Sequence, residues 1–190
     1  MFGRQWFSYT SQIGLSDEAL ELEDAIKHKL YTKAAQIASI KGKESNTNIE
    51  QRYWKRQLLR TIMHEQRQNK ENILTLRFYD FWDGFNIKEN EILNLISKKW
   101  NEEGVKIKVI CDGEADVEIY SCFVGTKKET KINGALKILY LGENVRPSYT
   151  DYDYSITHDT STYGEKNIYI PLWFLRTEEY GTTRDGYTPY

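Results

Sequence analysis

Cysteine is scarce in this chain: Cys111 and Cys122 are the only two among 190 residues. Each sits in or beside an apolar, strand-like run, where a free thiol acts as a small hydrophobe. A disulfide framework is thereby excluded, and two cysteines without a nearby histidine make a poor metal site. A reducing compartment fits. No window approaches the ~20 apolar residues that span a bilayer, and residues 1–14 lack the positive n-region and continuous apolar h-region of a signal peptide. The chain is therefore expected to be soluble and cytoplasmic, with no membrane span. A surplus of charge is missing as well. Lys+Arg number 26 against Asp+Glu 28, a net of -2, which argues against a nucleic-acid partner gripped by overall positive charge. The phosphate-cradling patterns GxGxxG and GxxxxGK[ST] do not occur, nor does the GxSxG of serine nucleophiles. His158 beside Asp159 has no second histidine nearby in the sequence, so it reads as a surface or core histidine before a metal or acid–base group.

What is present in quantity is aromatic: 14% of the residues, with 14 Tyr and 5 Trp, flat side chains with a polar edge that suit sugar and peptide surfaces as well as cores. Hydrophobic residues at 39% suffice for a core, and charged residues at 28% imply a heavily solvated surface. The length allows one ordinary domain with a helical extension, and not two full-sized domains.

The hydrophobic period changes once along the chain. Over residues 15–40, Leu15, Ala19, Leu22, Ile26, Leu30, Ala34 and Ile37 step by three and four, one stripe on an α-helix. Ser16 is its N-cap, Asp17 and Glu18 suit the positive end of its dipole, and Gly42 supplies a stop. Thr47 with Glu50 makes a capping box that opens a second helix, giving an α-helical hairpin over residues 1–71. That second helix, residues 51–70, carries Arg52, Lys55, Arg56, Arg60, Arg67 and Lys70 against the single acid Glu65, a local charge of +5. A solvated outer face is the plain reading of such a run. Contact with an anionic partner is the other, including self-association in which this helix meets the acidic stretch 143–190, where 8 Asp and Glu face 4 Lys and Arg.

Residues 72–190 read as one Rossmann-like α/β domain. Residues 73–81 alternate, with Leu74, Leu76 and Phe78 on one side and Thr75, Arg77 and Tyr79 on the other. Asn86 with Glu89 caps a helix carrying Ile92, Leu93, Ile96 and Trp100. Strands follow at 105–110, 117–122 and 136–141, a lysine-rich segment at 127–131 separates the last two, and shorter strands fit 154–157 and 168–170. This is the grammar of an open α/β sheet.

Ligands of such sheets bind beyond the carboxyl ends of the strands, where loops carry polar groups on a rigid mount. The loop after the first strand holds Asp80, Trp82 and Phe85; the next holds Ser121, Cys122 and Phe123; the last holds Gly142, Glu143, Asn144, Arg146 and Pro147. Carboxylates, an amide, a guanidinium and aromatic faces together suit a polyhydroxyl ligand better than an apolar one. Glu143 stands out as a carboxylate following a glycine at the end of an apolar strand, with a salt bridge to Arg146 as its structural alternative. Asn144 and Pro147 serve equally as turn formers, and Trp82 and Phe85 as lids on the core.

The same loops carry a resemblance. Residues 78–85, Phe-Tyr-Asp-Phe-Trp-Asp-Gly-Phe, and 115–123, Ala-Asp-Val-Glu-Ile-Tyr-Ser-Cys-Phe, are similar to the opening strands of the α-1,3-fucosyltransferases, glycosyltransferase family 10. Residues 138–147, Ile-Leu-Tyr-Leu-Gly-Glu-Asn-Val-Arg-Pro, resemble that family's Y-T-G-E-N-x-x-P-N signature, and residues 153–156 and 169–173 resemble its D-Y-A-I and R-x-P-L segments. The agreement runs over about residues 74–175. Leu141 stands where the signature has threonine, Ser148 where it has asparagine, and Thr157-His158-Asp159 where the family has Gly-Phe-Asp.

The resemblance implies the N-terminal, acceptor-binding half of a GT-B glycosyltransferase, which transfers fucose from GDP-fucose to a glycan hydroxyl with inversion. It implies Glu143 as general base, with Asp80, Trp82, Asn144 and Arg146 lining the acceptor cleft. It implies no cofactor in this chain and no metal. The donor-binding half of the family lies beyond the matched region, so a missing C-terminal domain is an expected partner, together with the glycan acceptor and a possible second copy bound through the helical hairpin. The alternative is a non-catalytic carbohydrate-binding or protein-interaction module derived from such an enzyme.

Overall fold

The computed structural model describes residues 13–67, 72–123, 130–142 and 146–171. Three helices come first: α1 (Asp17–Lys27), α2 (Tyr31–Glu44) and α3 (Asn48–Arg67). Ser16 caps α1, its Oγ accepting the Ala19 N–H at 3.2 Å. The one helix expected over residues 15–40 is in fact two. Lys29 turns into the left-handed region at φ 60°, and the N–H groups of Lys29 and Leu30 donate back to the carbonyls of Ile26 and Ala25 at 2.9 and 2.8 Å. That paired closure ends a helix, here with lysine where glycine is usual. Ile26, Leu30 and Ala34 keep the helical step across the break, so periodicity alone runs straight through it. Gly42 does not stop α2 but lies inside it, where an added Cβ would sit 3.5 Å from the Cβ of Trp54 on α3. The expected capping box opens α3: Thr47 Oγ1 accepts the Glu50 N–H at 3.1 Å, and Glu50 Oε2 accepts the Thr47 N–H at 3.3 Å. Ala19, Leu22, Ala25, Ile26, Tyr53 and Trp54 are among the buried residues that hold the three helices together.

The rest of the chain forms β1 (Ile73–Tyr79), α4 (Glu91–Glu102), β2 (Lys106–Val109), β3 (Val117–Tyr120), β4 (Leu136–Tyr140), β5 (Tyr154–Thr157) and β6 (Asn167–Tyr169). All six strands are parallel, in the order β2-β1-β3-β4-β5-β6, so the open α/β sheet read from the sequence is present. The order reverses between β1 and β3, which makes that gap the topological switch point. The cap of α4 is Asn90 rather than Asn86: Asn90 Oδ1 accepts the Leu93 N–H at 2.8 Å, while Asn86 closes a short turn onto the Lys88 N–H at 3.0 Å. Cys111 and Cys122 are free thiols, but Cys111 is exposed and packs in no core. No helix among the described residues is long and apolar enough to cross a membrane.

The sheet has two unlike faces, as the alternation in β1 requires. Leu76, Val117, Ile119 and Tyr140 bury one face against Ile92, Leu93 and Ile96 of α4. Each such side chain removed from water contributes about 1.5–3 kcal/mol. The other face is mixed: Tyr120, Leu139, Leu141 and Tyr152 make an apolar cluster on it, and its polar part meets α3. Lys137 Nζ meets Glu118 Oε2 at 2.6 Å with both side chains out of water, and the Tyr120 hydroxyl donates to the same carboxylate at 2.7 Å. Gly134, in the connection before β4, touches the α3 backbone so closely that a Cβ would lie 2.7 Å from the Leu59 carbonyl oxygen.

The basic residues of α3 correct the reading of a solvated face. Arg56 and Arg60 are buried, and Arg67 is mostly so. Arg56 donates to the Thr150 carbonyl at 2.6 Å and to both oxygens of Asp153 at 3.2 Å. Arg60 clasps Glu23 of α1 at 2.6 and 2.9 Å, and Arg67 pairs with Asp116. The anions that these three side chains meet therefore lie on their own chain. Periodicity cannot show this, because Arg56 and Asp153 stand 97 residues apart.

Candidate functional site

β1, β3, β4 and β5 end at one edge of the sheet, and the loops beyond them are stitched together by main-chain bonds. The Ser121 N–H donates to the Tyr79 carbonyl at 2.9 Å and the Phe123 N–H to the Asp80 carbonyl at 3.0 Å, across the switch point. Asp80 sits in the left-handed region at φ 59°, a conformation that aspartate tolerates better than most residues. Two residues on, the Trp82 carbonyl accepts the Phe85 N–H at 3.1 Å, closing a turn in which Gly84 takes φ 86°.

That turn builds an aromatic stack. Phe81 lies face to face with Phe85 at 4.1 Å between ring centroids and with Tyr140 of β4 at 6.0 Å. Trp82 stands edge-on to Phe85 at 4.9 Å and to Phe123 at 5.3 Å. The two outermost rings stay open to solvent, Trp82 at 44% and Phe123 at 42% exposure. Phe85 belongs to the supporting layer, as expected of a lid on the core, whereas Trp82 offers an accessible edge.

Arg146 is found elsewhere along the same edge. Its Nε lies 3.7 Å from Asp159 Oδ2, and Asp159 also takes the Tyr163 hydroxyl at 2.6 Å and the Ser161 N–H at 3.0 Å. Burial pushes the Asp159 carboxyl up, but these hydrogen bonds outweigh it and hold the group below the ordinary aspartate range. Burial and the bond to Asp159 push the Tyr163 phenol up to about 12. His158 spends Nδ1 on the Ile170 carbonyl and so ties the ends of β5 and β6. No cluster of metal-ligating side chains occurs among the described residues.

The structure thus gathers Asp80 and Trp82 at the switch point and sets Arg146 beside Asp159. Glu143 and Asn144 lie outside the described residues. Sequence reasoning put Phe123 and Ser121 in a strand-end loop without giving either a role. Phe123 is an ordinary aromatic until its ring meets Trp82, and Ser121 has a buried hydroxyl that finds no partner among the described residues. Both signals exist only in three dimensions. Accessible aromatic rings on a loop that also carries Asp80 are equipped to hold the apolar face and hydroxyls of a sugar.

Residues 76–176 match the family model described as the alpha-(1,3)-fucosyltransferase FucT N-terminal domain. Two solved structures are similar to this chain: one of an alpha1,3-fucosyltransferase with GDP-fucose, at 19% identity and a TM-score of 0.40, and one of an alpha1,3-fucosyltransferase with GDP, at 18% and 0.40. The match covers 59% of this chain and 30% of each of those chains. No curated protein matches it.

Proposed function

We propose a function from one premise: the chain belongs to the alpha-(1,3)-fucosyltransferase FucT N-terminal domain family. On that basis it is the acceptor side of a glycosyltransferase of the GT-B arrangement, in which fucose passes from GDP-fucose to a glycan hydroxyl with inversion. The observation that carries this reading is the exposed Trp82–Phe123 pair, mounted on the hydrogen bonds that join β1 to β3 at the switch point. Aromatic ring faces there pack against the C–H face of a saccharide, and Asp80, Asn144 and Arg146 serve its hydroxyls.

Inverting transfer needs the acceptor hydroxyl deprotonated as it attacks the anomeric carbon from the face opposite the departing GDP. Glu143, one residue past the Gly142 that follows β4, is the carboxylate proposed to take that proton. Its proton acceptance and the breaking of the bond to GDP leave a new glycosidic bond and a protonated carboxyl. The donor is assigned to a separate domain, so the residues matched by the family model are expected to hold glycan and not GDP-fucose.

Titration of the 190-residue chain with N-acetyllactosamine and with GDP-fucose tests the reading. Glycan binding that Trp82→Ala weakens about tenfold or more is the expected result. Tight binding of GDP-fucose by this chain, or glycan binding indifferent to Trp82→Ala, overturns it. Glycan binding that persists while a completed enzyme transfers no fucose favours the non-catalytic carbohydrate-binding module.

A further inference from the structure

A cavity of about 690 Å³ opens where the helices meet the connections beyond β4 and β5. The helix side presents Glu18, Lys41, Glu44, Glu50 and Trp54; the sheet side presents Pro147, Tyr149 and Tyr163. The volume falls in the range of roughly 300–1,000 Å³ usual for ligand sites. It lies on the β5 side of the strand-end edge, where Arg146 is found. Pro147 is the neighbour of Arg146, and the line from Arg146 to Asp159 to the Tyr163 hydroxyl runs from the strand edge into the cavity wall.

The chemistry of the lining narrows the occupant. Glu18, Glu44 and Glu50 set three carboxylates against the one ammonium of Lys41, a balance that repels phosphate and therefore a nucleotide sugar. Lys41 is already held by Glu18 at 2.9 Å and Glu44 at 3.3 Å, so its charge is spoken for. Ser16 Oγ is taken by the cap of α1 and Ser45 Oγ donates to the Lys41 carbonyl at 2.6 Å, so what remains are the spare lone pairs of the carboxylates, the amide of Asn46, and aromatic surface from Trp54 and Tyr163. We propose that this cavity is a subsite for a neutral oligosaccharide, taking sugars of the acceptor beyond the one held at the rim, with α1, α2 and α3 as its outer wall. The inference rests on the rim being the acceptor site. It gives the helices that precede the matched family region a role in reading acceptor length.

The test compares N-acetyllactosamine with the neutral tetrasaccharide lacto-N-neotetraose, by calorimetric or NMR titration of the 190-residue chain. Asn46→Trp fills the cavity from an exposed loop position, and Glu44→Lys reverses a carboxylate at its mouth; both sites are exposed, so thermal unfolding serves to verify that the variants fold. The expected result is a tetrasaccharide bound about tenfold more tightly than the disaccharide, with both variants erasing that gain and sparing the disaccharide. Equal affinities in the unaltered chain, a gain that survives both substitutions, or no glycan binding at all overturns the subsite. Trp82→Ala separates the two readings. Should it leave both glycans unaffected while Asn46→Trp removes the tetrasaccharide gain, the rim reading falls and the cavity stands. Should it abolish both affinities in a chain that shows no length preference, the rim stands and the cavity falls.

Discussion

Asp153 draws its donors from three directions with its side chain out of water: Gln57 Nε2 at 2.8 Å, the Lys137 N–H at 2.8 Å and Arg56 at 3.2 Å. Burial pushes its carboxyl up, but the Arg56 and Arg60 guanidiniums outweigh burial and keep it ionised far below the usual aspartate range. Removing one partner of such a pair strands the other, at a cost of about 3–5 kcal/mol. Arg56→Met is therefore expected to lower the urea midpoint sharply, and an unchanged midpoint would deny the pair that role. Glu23 gives the pH dependence. Burial pushes its carboxyl up, yet Arg60 and Lys166 bring it from 4.5 down to about 2. A carboxyl lowered on folding contributes stability that is complete above its unfolded value and lost as pH falls toward the folded one. Unfolding free energy is thus expected to drop between pH 4.5 and about 2. Glu23→Gln should flatten the Glu23 part of that drop, as urea titrations at several pH values would register.

At the scale of elements, α3 is the piece that fastens helices to sheet, and its fit is tight at Gly134. Gly134→Ala would press a methyl into the Leu59 carbonyl and the Met63 Cβ, 2.7 and 3.1 Å away, so the backbone must shift. A loss of about 1–3 kcal/mol is expected from overpacking of this kind, read as a lowered thermal midpoint. Strands were the legible elements. Period-two alternation in Leu74, Leu76 and Phe78 reports which face meets α4, and Tyr154–Thr157 was found at the length that its pattern indicated. The capped starts at Ser16 and Thr47 were legible too, but the break between α1 and α2 was not, because Lys29 stands where glycine would have announced it, and Asn86 and Asn90 offer equivalent caps four residues apart. Of the candidate site, the place of Trp82 in the loop after β1 was legible. The cavity beside Tyr163 was not, since its walls come from segments more than 100 residues apart in sequence, Glu18 and Pro147 among them.

Taken whole, the molecule carries its aromatic rim on the loops after β1 and β3, and the helices close a cavity against the loops after β4 and β5. The polar part of the sheet's second face depends on this arrangement. Glu118, Lys137 and Asp153 are buried, and α3 supplies the Arg56 and Gln57 that satisfy Asp153. A chain shortened to residues 72–190 would lose those partners. It is expected to unfold without the sharp cooperative transition of the longer chain, which circular dichroism on heating would register. The account as a whole turns on proton removal by Glu143. Its most direct test is the turnover of the enzyme completed with a donor-binding domain, measured with Glu143→Gln against the unaltered sequence. A fall in kcat of about 10²–10⁴ is the expected result, and turnover left intact would contradict the account.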